Sequence, residues 1–230
     1  MELSTRLQAV ADWVPKGARL ADIGTDHGFL PVWLVKYGVI DFAIAADLRA
    51  KPLETAKRNA ERHGLTDQMS FRLCDGLADI EPEEVDTVSI AGMGGETIVS
   101  ILEAAPWTLE RGVRLLLQPQ SGSFELRSFL SERGYRILRE TIAREDNRFY
   151  VLMEVEAGAP ETMTIGELWA GKNYNHPQRG AYLEWLSGVL NKAAKGMQQS
   201  TDQQAQADDL QRVIEDLGRM KKEWDTWQSQ

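Results

Sequence analysis

The chain has little of what several protein classes require: one cysteine, three histidines and no long apolar run in 230 residues. A single thiol, Cys74, cannot form an internal disulfide, and no cysteine or histidine spacing resembles a zinc site, so no metal is expected. A membrane helix needs roughly 18 apolar residues in succession, and no segment resembles that or a signal peptide. We therefore expect a cytoplasmic protein without membrane contact.

Basic residues are also in the minority. Lys and Arg number 26 against 35 Asp and Glu, which gives a formal net charge of -9. This balance does not favour nucleic acid as a partner, but it excludes it weakly, because nucleic acids bind local basic patches rather than the average charge.

Leu3, Leu7, Val10 and Val14 recur at helical spacing, which predicts an amphipathic helix that ends at residues 15–17. From there to about residue 155 the chain alternates short apolar runs with helical periodicity. The predicted strands lie near residues 19–23, 42–46, 69–73, 85–91, 113–117 and 150–155, and the predicted helices near 30–37, 52–63, 96–104 and 124–133. This alternation is typical of an α/β fold with a mostly parallel sheet between helices. Ligands of such sheets bind beyond the carboxyl ends of the strands.

The loop after the first strand, Ala-Asp-Ile-Gly-Thr-Asp-His-Gly at residues 21–28, carries the strongest functional signal. Gly24 and Gly28 permit a tight turn and close approach of backbone to ligand. A dinucleotide fingerprint that starts at Gly24 would need glycine where the chain has Asp26 and Phe29. A carboxylate at position 26 would repel a pyrophosphate, but it would bind the ammonium group of S-adenosylmethionine. The loop thus favours S-adenosylmethionine over NAD.

Two further aspartates follow predicted strands. Asp47 lies about 20 residues beyond the glycine loop, where a carboxylate can accept hydrogen bonds from both ribose hydroxyls of an adenosine. Asp75 precedes Gly76 after the third strand and could accept a hydrogen bond from the adenine amino group, although a turn aspartate is an equal alternative. Cys74 is interpreted as a small buried residue rather than a nucleophile, since no activating partner is evident.

The fourth predicted strand ends in Ala-Gly-Met-Gly-Gly at residues 91–95. Three glycines in four positions favour a wall against a flat ligand over a purely structural turn. Methylases of exocyclic amines place Asn or Asp, Pro-Pro and an aromatic residue here, and the absence of that motif points to another nucleophile. The segment around Gln118, which closes the fifth predicted strand, could face the same cleft. Residues 144–150 are interpreted as a charged hairpin turn before the last strand, and for both segments a purely structural role is an equal alternative.

The composition changes at residues 156–160, which we interpret as a linker. Beyond it, apolar residues recur every three or four positions in two segments, which predicts an antiparallel helical hairpin with coiled-coil packing. The two seams comprise Leu183, Leu186, Leu190, Ala193 and Met197, and then Leu210, Val213, Leu217, Met220, Trp224 and Trp227, joined by a polar region at 198–209. The predicted domains are 1–158 and 159–230, in a monomer or weak dimer with no protein partner implied.

With these motifs in this order, the chain resembles the bacterial tRNA (adenine-N1)-methyltransferases that act on position 22 of tRNA. The resemblance covers essentially the whole chain. It implies a Rossmann-like class I methyltransferase domain, S-adenosyl-L-methionine as donor, and a C-terminal helical domain that helps to engage tRNA.

The predicted site has three parts. The catalytic candidates are Asp26 and His27, the former also a candidate anchor for the methionine ammonium and the latter a proton acceptor, a stacking partner or a local structural residue. The predicted cofactor site comprises Asp22, Gly24, Asp26, Gly28, Asp47, Leu48, Cys74, Asp75, Gly76, Ala91, Gly92 and Met93, and the predicted substrate site comprises Gly94, Gly95 and Gln118.

Adenine N1 already has a lone pair, so the predicted chemistry depends on positioning, with the base unpaired or extruded. A carboxylate near the exocyclic amino group, for which Asp26 is our first candidate, would stabilise the charge that methylation creates. Two alternatives stay open at this point: a methyltransferase for another RNA site or a small molecule, and a non-catalytic nucleotide-binding scaffold. An NAD-dependent enzyme ranks lowest.

Overall fold

The computed structural model describes residues 1–159, 161–198 and 203–229. The chain divides into two compact units, Met1–Glu161 and Thr162–Gln230. The predicted linker at 156–160 begins inside the last strand, and Pro160 lies outside the described residues. In the described part of the chain no helix is both long and apolar enough to cross a membrane.

The first unit is a seven-stranded sheet with helices on both faces. Its elements are α1 (Thr5–Ala11), β1 (Leu20–Ile23), α2 (Phe29–Lys36), β2 (Ala43–Asp47), α3 (Ala50–Arg62), a short 3-10 turn (Thr66–Gln68), β3 (Met69–Leu73), β4 (Thr87–Gly94), α4 (Gly95–Ala104), α5 (Trp107–Glu110), β5 (Arg114–Ser121), α6 (Ser123–Glu132), β6 (Tyr135–Glu145) and β7 (Arg148–Ala157).

The strand order is β3-β2-β1-β4-β5-β7-β6, with the first five strands parallel and β7 antiparallel to both of its neighbours. This arrangement confirms the predicted Rossmann-like α/β fold. The chain winds outward from β1 through β2 and β3, then returns to place β4 on the other side of β1. Such a reversal opens a crevice at the carboxyl ends of β1 and β4, which is where ligands of these sheets bind.

The central strands are buried because helices cover both faces of the sheet. Every residue of β1 and β2 is buried, as expected for parallel strands with this environment. One apolar cluster joins α1, α2 and the sheet, with Val10 and Ala11 packed in the same core as Leu30 and Leu34. The first helix is therefore part of the domain core.

Three strands differ from the prediction. β4 and β5 continue through residues expected to be loops. They stay paired as far as Gly94 and Ser121, with one register shift at Gly92 of β4 and a second at Gln120 of β5. β6 was not predicted, and the turn at 144–150 is tighter than expected. The sequence of β6 does not show the apolar pattern of a strand, because β6 lies at the sheet edge and carries charged side chains along its length, including Arg136, Arg139 and Glu140.

The second unit contains α7 (Ile165–Ala170), α8 (Arg179–Met197) and α9 (Gln204–Gln228). The start of α8 lies beside the end of α9: the Lys221 ammonium is 3.1 Å from the Glu184 carboxylate, and a Cβ at Gly180 would lie 2.6 Å from the Trp224 ring. The predicted antiparallel hairpin is present, although part of the polar connection, residues 199–202, lies outside the described residues.

Two positions of the predicted seam are wrong. Ala194 rather than Ala193 is buried, because it lies one helical turn, four residues, beyond Leu190. Trp227 is 50% exposed, since Trp224 already packs against the second residue of α8 and the next turn of α9 extends past that helix.

Candidate active site

A cavity of about 750 Å³ lies at the carboxyl ends of β1, β2, β3 and β4. Most of the predicted site residues line it, namely Asp22, Gly24, Asp26, His27, Asp47, Leu48, Cys74, Asp75, Gly76, Ala91, Gly92, Met93 and Gly94. The topology brings together residues up to 143 positions apart in sequence, since the wall runs from Glu2 to Glu145.

The β1–α2 loop is fixed by its own backbone hydrogen bonds. The N–H groups of Gly24 and Thr25 both donate to the Ala46 carbonyl, at 2.8 and 3.0 Å, and Gly28 N–H donates to the Thr25 carbonyl at 2.8 Å. Asp26 N–H donates to the Asp47 carboxylate at 3.3 Å. A pyrophosphate site needs such amides free to face the ligand. The loop therefore lacks the amide cradle of a dinucleotide site, in agreement with the sequence argument.

Gly24 has φ +68°, and a Cβ there would lie 2.0 Å from the terminal methyl carbon of Met93. Glycine is needed for both reasons: the left-handed backbone and the Met93 side chain that crosses it. Asp26 also has a positive φ of 51°, which aspartate adopts more readily than most residues.

Asp22 is a buried carboxylate of the cavity wall, with 5% of its surface exposed. Burial raises its pKa to about 6, even though the hydrogen bond from Ser89 and the charge of Arg6 act in the opposite direction. The Ser89 hydroxyl donates to it at 2.5 Å. A cation placed beside this group would restore its ionised form, because opposite charge favours the carboxylate.

Asp47 is equally buried, and backbone groups hold it. Its two oxygens accept hydrogen bonds from the N–H groups of Asp26, at 3.3 Å, and Arg49, at 2.9 Å. A carboxylate has about four acceptor positions, so these two bonds leave capacity for the hydroxyls of a sugar. The position at the end of β2 is the one predicted from the spacing to the glycine loop.

The next part of the wall combines apolar and polar groups. Leu48 lines the cavity and is 64% exposed, so its side chain is available to a ligand. Burial raises the pKa of the Cys74 thiol, so this group is protonated at neutral pH and is no activated nucleophile. Gly76 and Asp75 complete this side beneath Ile101. An apolar slot with a carboxylate at its edge suits a purine ring.

Three predicted residues do not line the cavity. Gly28 begins α2 and allows close packing of α3, since a Cβ there would lie 2.9 Å from the Ala56 Cβ. Gly95 lies against backbone, and a Cβ would meet the Gly122 carbonyl oxygen at 1.9 Å. Gln118 is buried behind the wall, where its side-chain oxygen accepts a hydrogen bond from Arg6 at 2.7 Å. Gln120, two residues further on, lines the cavity instead.

The mouth of the cavity carries Asp26, His27 and Phe29. The side chain of Asp26 is 60% exposed and lies 3.5 Å from Nε2 of His27. The His27 ring stacks on Phe29, with centroids 5.3 Å apart and planes inclined by 26°. The three aspartates thus differ in depth: Asp22 and Asp47 are buried, whereas Asp26 lies where a second substrate would enter.

Sequence reasoning missed Arg6. This residue lies on α1, lines the cavity and is held by two distant parts of the chain: its guanidinium by Gln118, and its backbone N–H by the Glu145 carboxylate at 2.6 Å. No motif identifies it, since α1 shows only ordinary amphipathic periodicity. A cation on the polar face of a helix that packs into the core was the only available signal.

Three features together define a Rossmann-like methyltransferase: the doubly wound sheet, the carboxylates at the strand ends, and a glycine loop in which the N–H groups of Gly24, Thr25, Asp26 and Gly28 are bonded within the protein. The family model described as a methyltransferase domain matches residues 3–153, and the chain belongs to that family.

Comparison with individual proteins narrows the family. The chain is 41% identical to the tRNA (adenine(22)-N(1))-methyltransferase of Bacillus subtilis over 158 residues, which span 69% of this chain and 66% of that protein. The crystal structure of B. subtilis m1A22 tRNA methyltransferase TrmK matches with a TM-score of 0.84 at 31% identity, over 96% of this chain and 99% of that one.

Two related structures carry ligands. Streptococcus pneumoniae Sp1610 in complex with S-adenosyl-L-methionine matches with a TM-score of 0.80 at 33% identity, over 94% of this chain and 99% of that one. M. capricolum TrmK in complex with S-adenosyl-homocysteine matches with a TM-score of 0.79 at 29% identity, over 98% of this chain and 99% of that one. Within the methyltransferase-domain family, the chain belongs to the TrmK-like group.

Proposed function

We propose that this protein transfers a methyl group from S-adenosyl-L-methionine to N1 of adenine 22 in tRNA. The observation that carries the proposal is the cavity at the β1–β4 switch point, lined by Asp22, Asp47 and Asp75 around a glycine turn. It occurs in a chain whose fold matches the B. subtilis m1A22 enzyme over nearly its full length.

The cavity residues fit S-adenosyl-L-methionine, which supplies a methyl group on a positively charged sulfonium. Asp47 would accept hydrogen bonds from the ribose hydroxyls, Asp75 from the adenine amino group, and Leu48 would cover the adenine ring. Asp22 lies deep enough to face the ammonium group, and Arg6, whose charge acts on Asp22, would face the carboxylate. The zwitterionic end of the cofactor thus meets complementary charges.

The exposed position of Asp26 supports its assignment to the acceptor rather than the cofactor. Adenine N1 needs no base to become nucleophilic, so the main tasks of the protein are to hold the ring and to stabilise the positive charge that develops on it. Asp26 at the cavity mouth would accept a hydrogen bond from the adenine amino group as that charge forms. His27, 3.5 Å away, would orient the carboxylate.

The proposed acceptor atom lies on the Watson–Crick edge of the base. Adenine 22 must therefore leave its pairing and stacking partners to reach the mouth of the cavity. We assign tRNA engagement to both units, with the hairpin of α8 and α9 as the second contact. We also propose a cytoplasmic monomer, because the apolar seam of that hairpin is covered within one chain.

The test is in vitro methylation of unmodified tRNA transcripts with S-adenosyl-L-methionine. Primer extension should stop at position 22 after reaction, since N1 methylation blocks base pairing, and a transcript with guanine at that position should give no product. Methylation at another nucleotide, or of small molecules only, would refute the assignment.

We predict that Asp26→Ala abolishes detectable methylation, because the carboxylate faces the charge that develops on the ring. Its affinity for S-adenosyl-L-methionine, measured by calorimetry, should stay within about twofold of wild type, since the buried carboxylates remain. Asp12→Ala, which removes an exposed carboxylate of α1's C-cap, is the matched control. Near wild-type turnover of the Asp26 variant would disprove the role.

A further inference from the structure

A second, shallower hollow adjoins the cavity. It has a volume of about 230 Å³ and is lined by Thr55, Arg58, Asn59 and Arg62 of α3 together with His27 and Phe29. The four α3 residues lie at positions i, i+3, i+4 and i+7 counted from Thr55, so they share one face of the helix. Its four α3 residues have no part in the site described above, whereas His27 and Phe29 line both.

The charge of the hollow is opposite to that of the protein. The chain carries a formal charge of -9, yet the wall of the hollow holds two guanidinium groups, and its six lining residues include no carboxylate. Both arginines are exposed, and Arg58 makes one internal hydrogen bond, from Nε to the Glu54 carbonyl at 3.3 Å. Guanidinium groups on a fixed helix face are well suited to bind phosphate oxygens.

The hollow and the cavity are continuous through the stacked ring pair of His27 and Phe29, which lines both. Asn59 fixes α3 to this pair, because its amide donates to the His27 carbonyl at 3.2 Å. Phe29 is 44% exposed, so one of its faces or edges is available to a ligand. A group bound in the hollow would therefore lie directly beside an acceptor at the cavity mouth.

We infer that this hollow binds the nucleotide next to the target adenine in the RNA strand, with its phosphate between Arg58 and Arg62 and its base or sugar against Phe29. Phosphate contacts fix the register of a nucleic acid, and aromatic side chains stack on unpaired bases. An adenine extruded into the cavity carries its neighbour with it, so the neighbour needs a place outside the cavity mouth. This inference rests on the proposed tRNA methylation.

The test compares two double variants that each remove two exposed cations. Arg58→Ala with Arg62→Ala empties the hollow, whereas Lys16→Ala with Lys57→Ala removes equal charge elsewhere, Lys57 being on α3 but outside the hollow. We expect the arginine variant to raise KM for tRNA roughly 10- to 100-fold. Its affinity for S-adenosyl-L-methionine should be unchanged. The dependence of its tRNA binding on salt concentration should be shallower than that of the wild type, by the equivalent of about one to two phosphate contacts.

A second measurement locates the contact on the RNA. Methylphosphonate linkages, which are uncharged, would replace in turn the phosphates on either side of adenine 22. One of them should raise KM for the wild type and for the lysine variant, but add little in the arginine variant, because the contact is already lost.

The outcomes separate the two proposals. If the wild type is active and the arginine variant has the same KM for tRNA as the lysine variant, the proposed nucleotide binding by the hollow is wrong, while the proposed function stands. A neutral linkage that weakens the wild type and the arginine variant equally would lead to the same conclusion. Wild type unable to methylate any tRNA transcript would overturn the proposed function, and the hollow with it.

Discussion

At the scale of single residues, three aspartates that look alike in the sequence differ in burial, and this difference separates their proposed roles. Asp22, Asp26 and Asp47 all lie at or just beyond the carboxyl ends of β1 and β2, and spacing alone left Asp26 with two candidate roles. The structure places two of these groups at the cavity floor and one at its mouth. We base the proposed roles on this difference in depth, which depends on tertiary packing and is not encoded in local spacing.

Asp22→Asn should stabilise the protein without ligand at neutral pH. The folded-state pKa of about 6 exceeds the ordinary 3.8, so the fold favours the protonated acid. The stabilising contribution is full below about pH 3.8 and is lost as pH rises through 6, a penalty of at most about 3 kcal/mol at pH 7.

Thermal or urea unfolding across pH 4–7 measures this effect. The variant should show a flatter pH dependence than wild type and a higher midpoint at pH 7, while calorimetry should show weakened binding of S-adenosyl-L-methionine. A variant less stable than wild type at pH 7 would contradict the expected sign.

Gly24→Ala should weaken cofactor binding, because alanine is strained at a positive φ and its methyl group displaces the end of the Met93 side chain. The substitution adds a methyl group 2.0 Å from the terminal carbon of Met93 and forces alanine into a positive φ. Adding Met93→Ala removes the clash but not the backbone cost of about 1 kcal/mol, so the double variant should regain part of the affinity. Equal affinities for the single and double variants would mean that the clash is unimportant; calorimetry distinguishes the two.

At the scale of elements, the glycine-rich segment shows what sequence reasoning can and cannot predict. Three glycines at 92–95 predicted a ligand wall, and two of them, Gly92 and Gly94, line the cavity. The third packs against the Gly122 backbone, and the segment continues β4 instead of leaving it. The residue type shows that close approach is needed, but only the fold shows whether ligand or backbone approaches.

The first helix illustrates the same limit. Its periodicity was sufficient to predict it, and its apolar face lies in the core as expected. That its polar face reaches the cavity through Arg6 depends on the packing of α1 beside β6 and β7 and on contacts with residues more than 100 positions away. No local pattern contains that information.

Arg6→Ala should weaken S-adenosyl-L-methionine binding about 10-fold or more, because it removes the cation proposed to face the carboxylate. Binding of 5′-methylthioadenosine, which lacks the amino-acid end, should be nearly unchanged. Gln8→Ala on the exposed side of the same helix is the matched control. Equal losses for both ligands in calorimetry would indicate disruption of α1 instead.

At the scale of the whole molecule, the sequence predicted the order of most elements, the parallel sheet and the helical hairpin. The periodicities of 2 and 3.6 residues are set by burial, so they are legible in long, well-buried elements. The charged edge strand β6 and the short helix α5 lack that signal. The predicted boundary between the domains, after residue 158, lies a few residues before the end of the first unit at Glu161.

A fragment of residues 1–161 should bind S-adenosyl-L-methionine as the full chain does, because every residue that lines the cavity precedes 146 and the sheet has its own core. Its KM for tRNA should rise at least 10-fold if the hairpin supplies a second contact. Calorimetry and transcript methylation measure the two effects. If the fragment folds and its KM for tRNA is unchanged, the second unit does not contribute to tRNA binding as proposed.

The internal hydrogen bonds of the β1–α2 loop have a thermodynamic consequence. Four N–H groups of this loop already donate hydrogen bonds within the protein, namely those of Gly24, Thr25, Asp26 and Gly28. On the opposite wall, β4 stays paired past its bulge as far as Gly94. Neither side of the cavity therefore has to give up backbone entropy when a ligand arrives. The conformational entropy lost on binding comes instead from exposed side chains at the mouth of the cavity. The cofactor therefore binds to a rigid backbone, whereas the larger substrate binds to side chains that must become ordered.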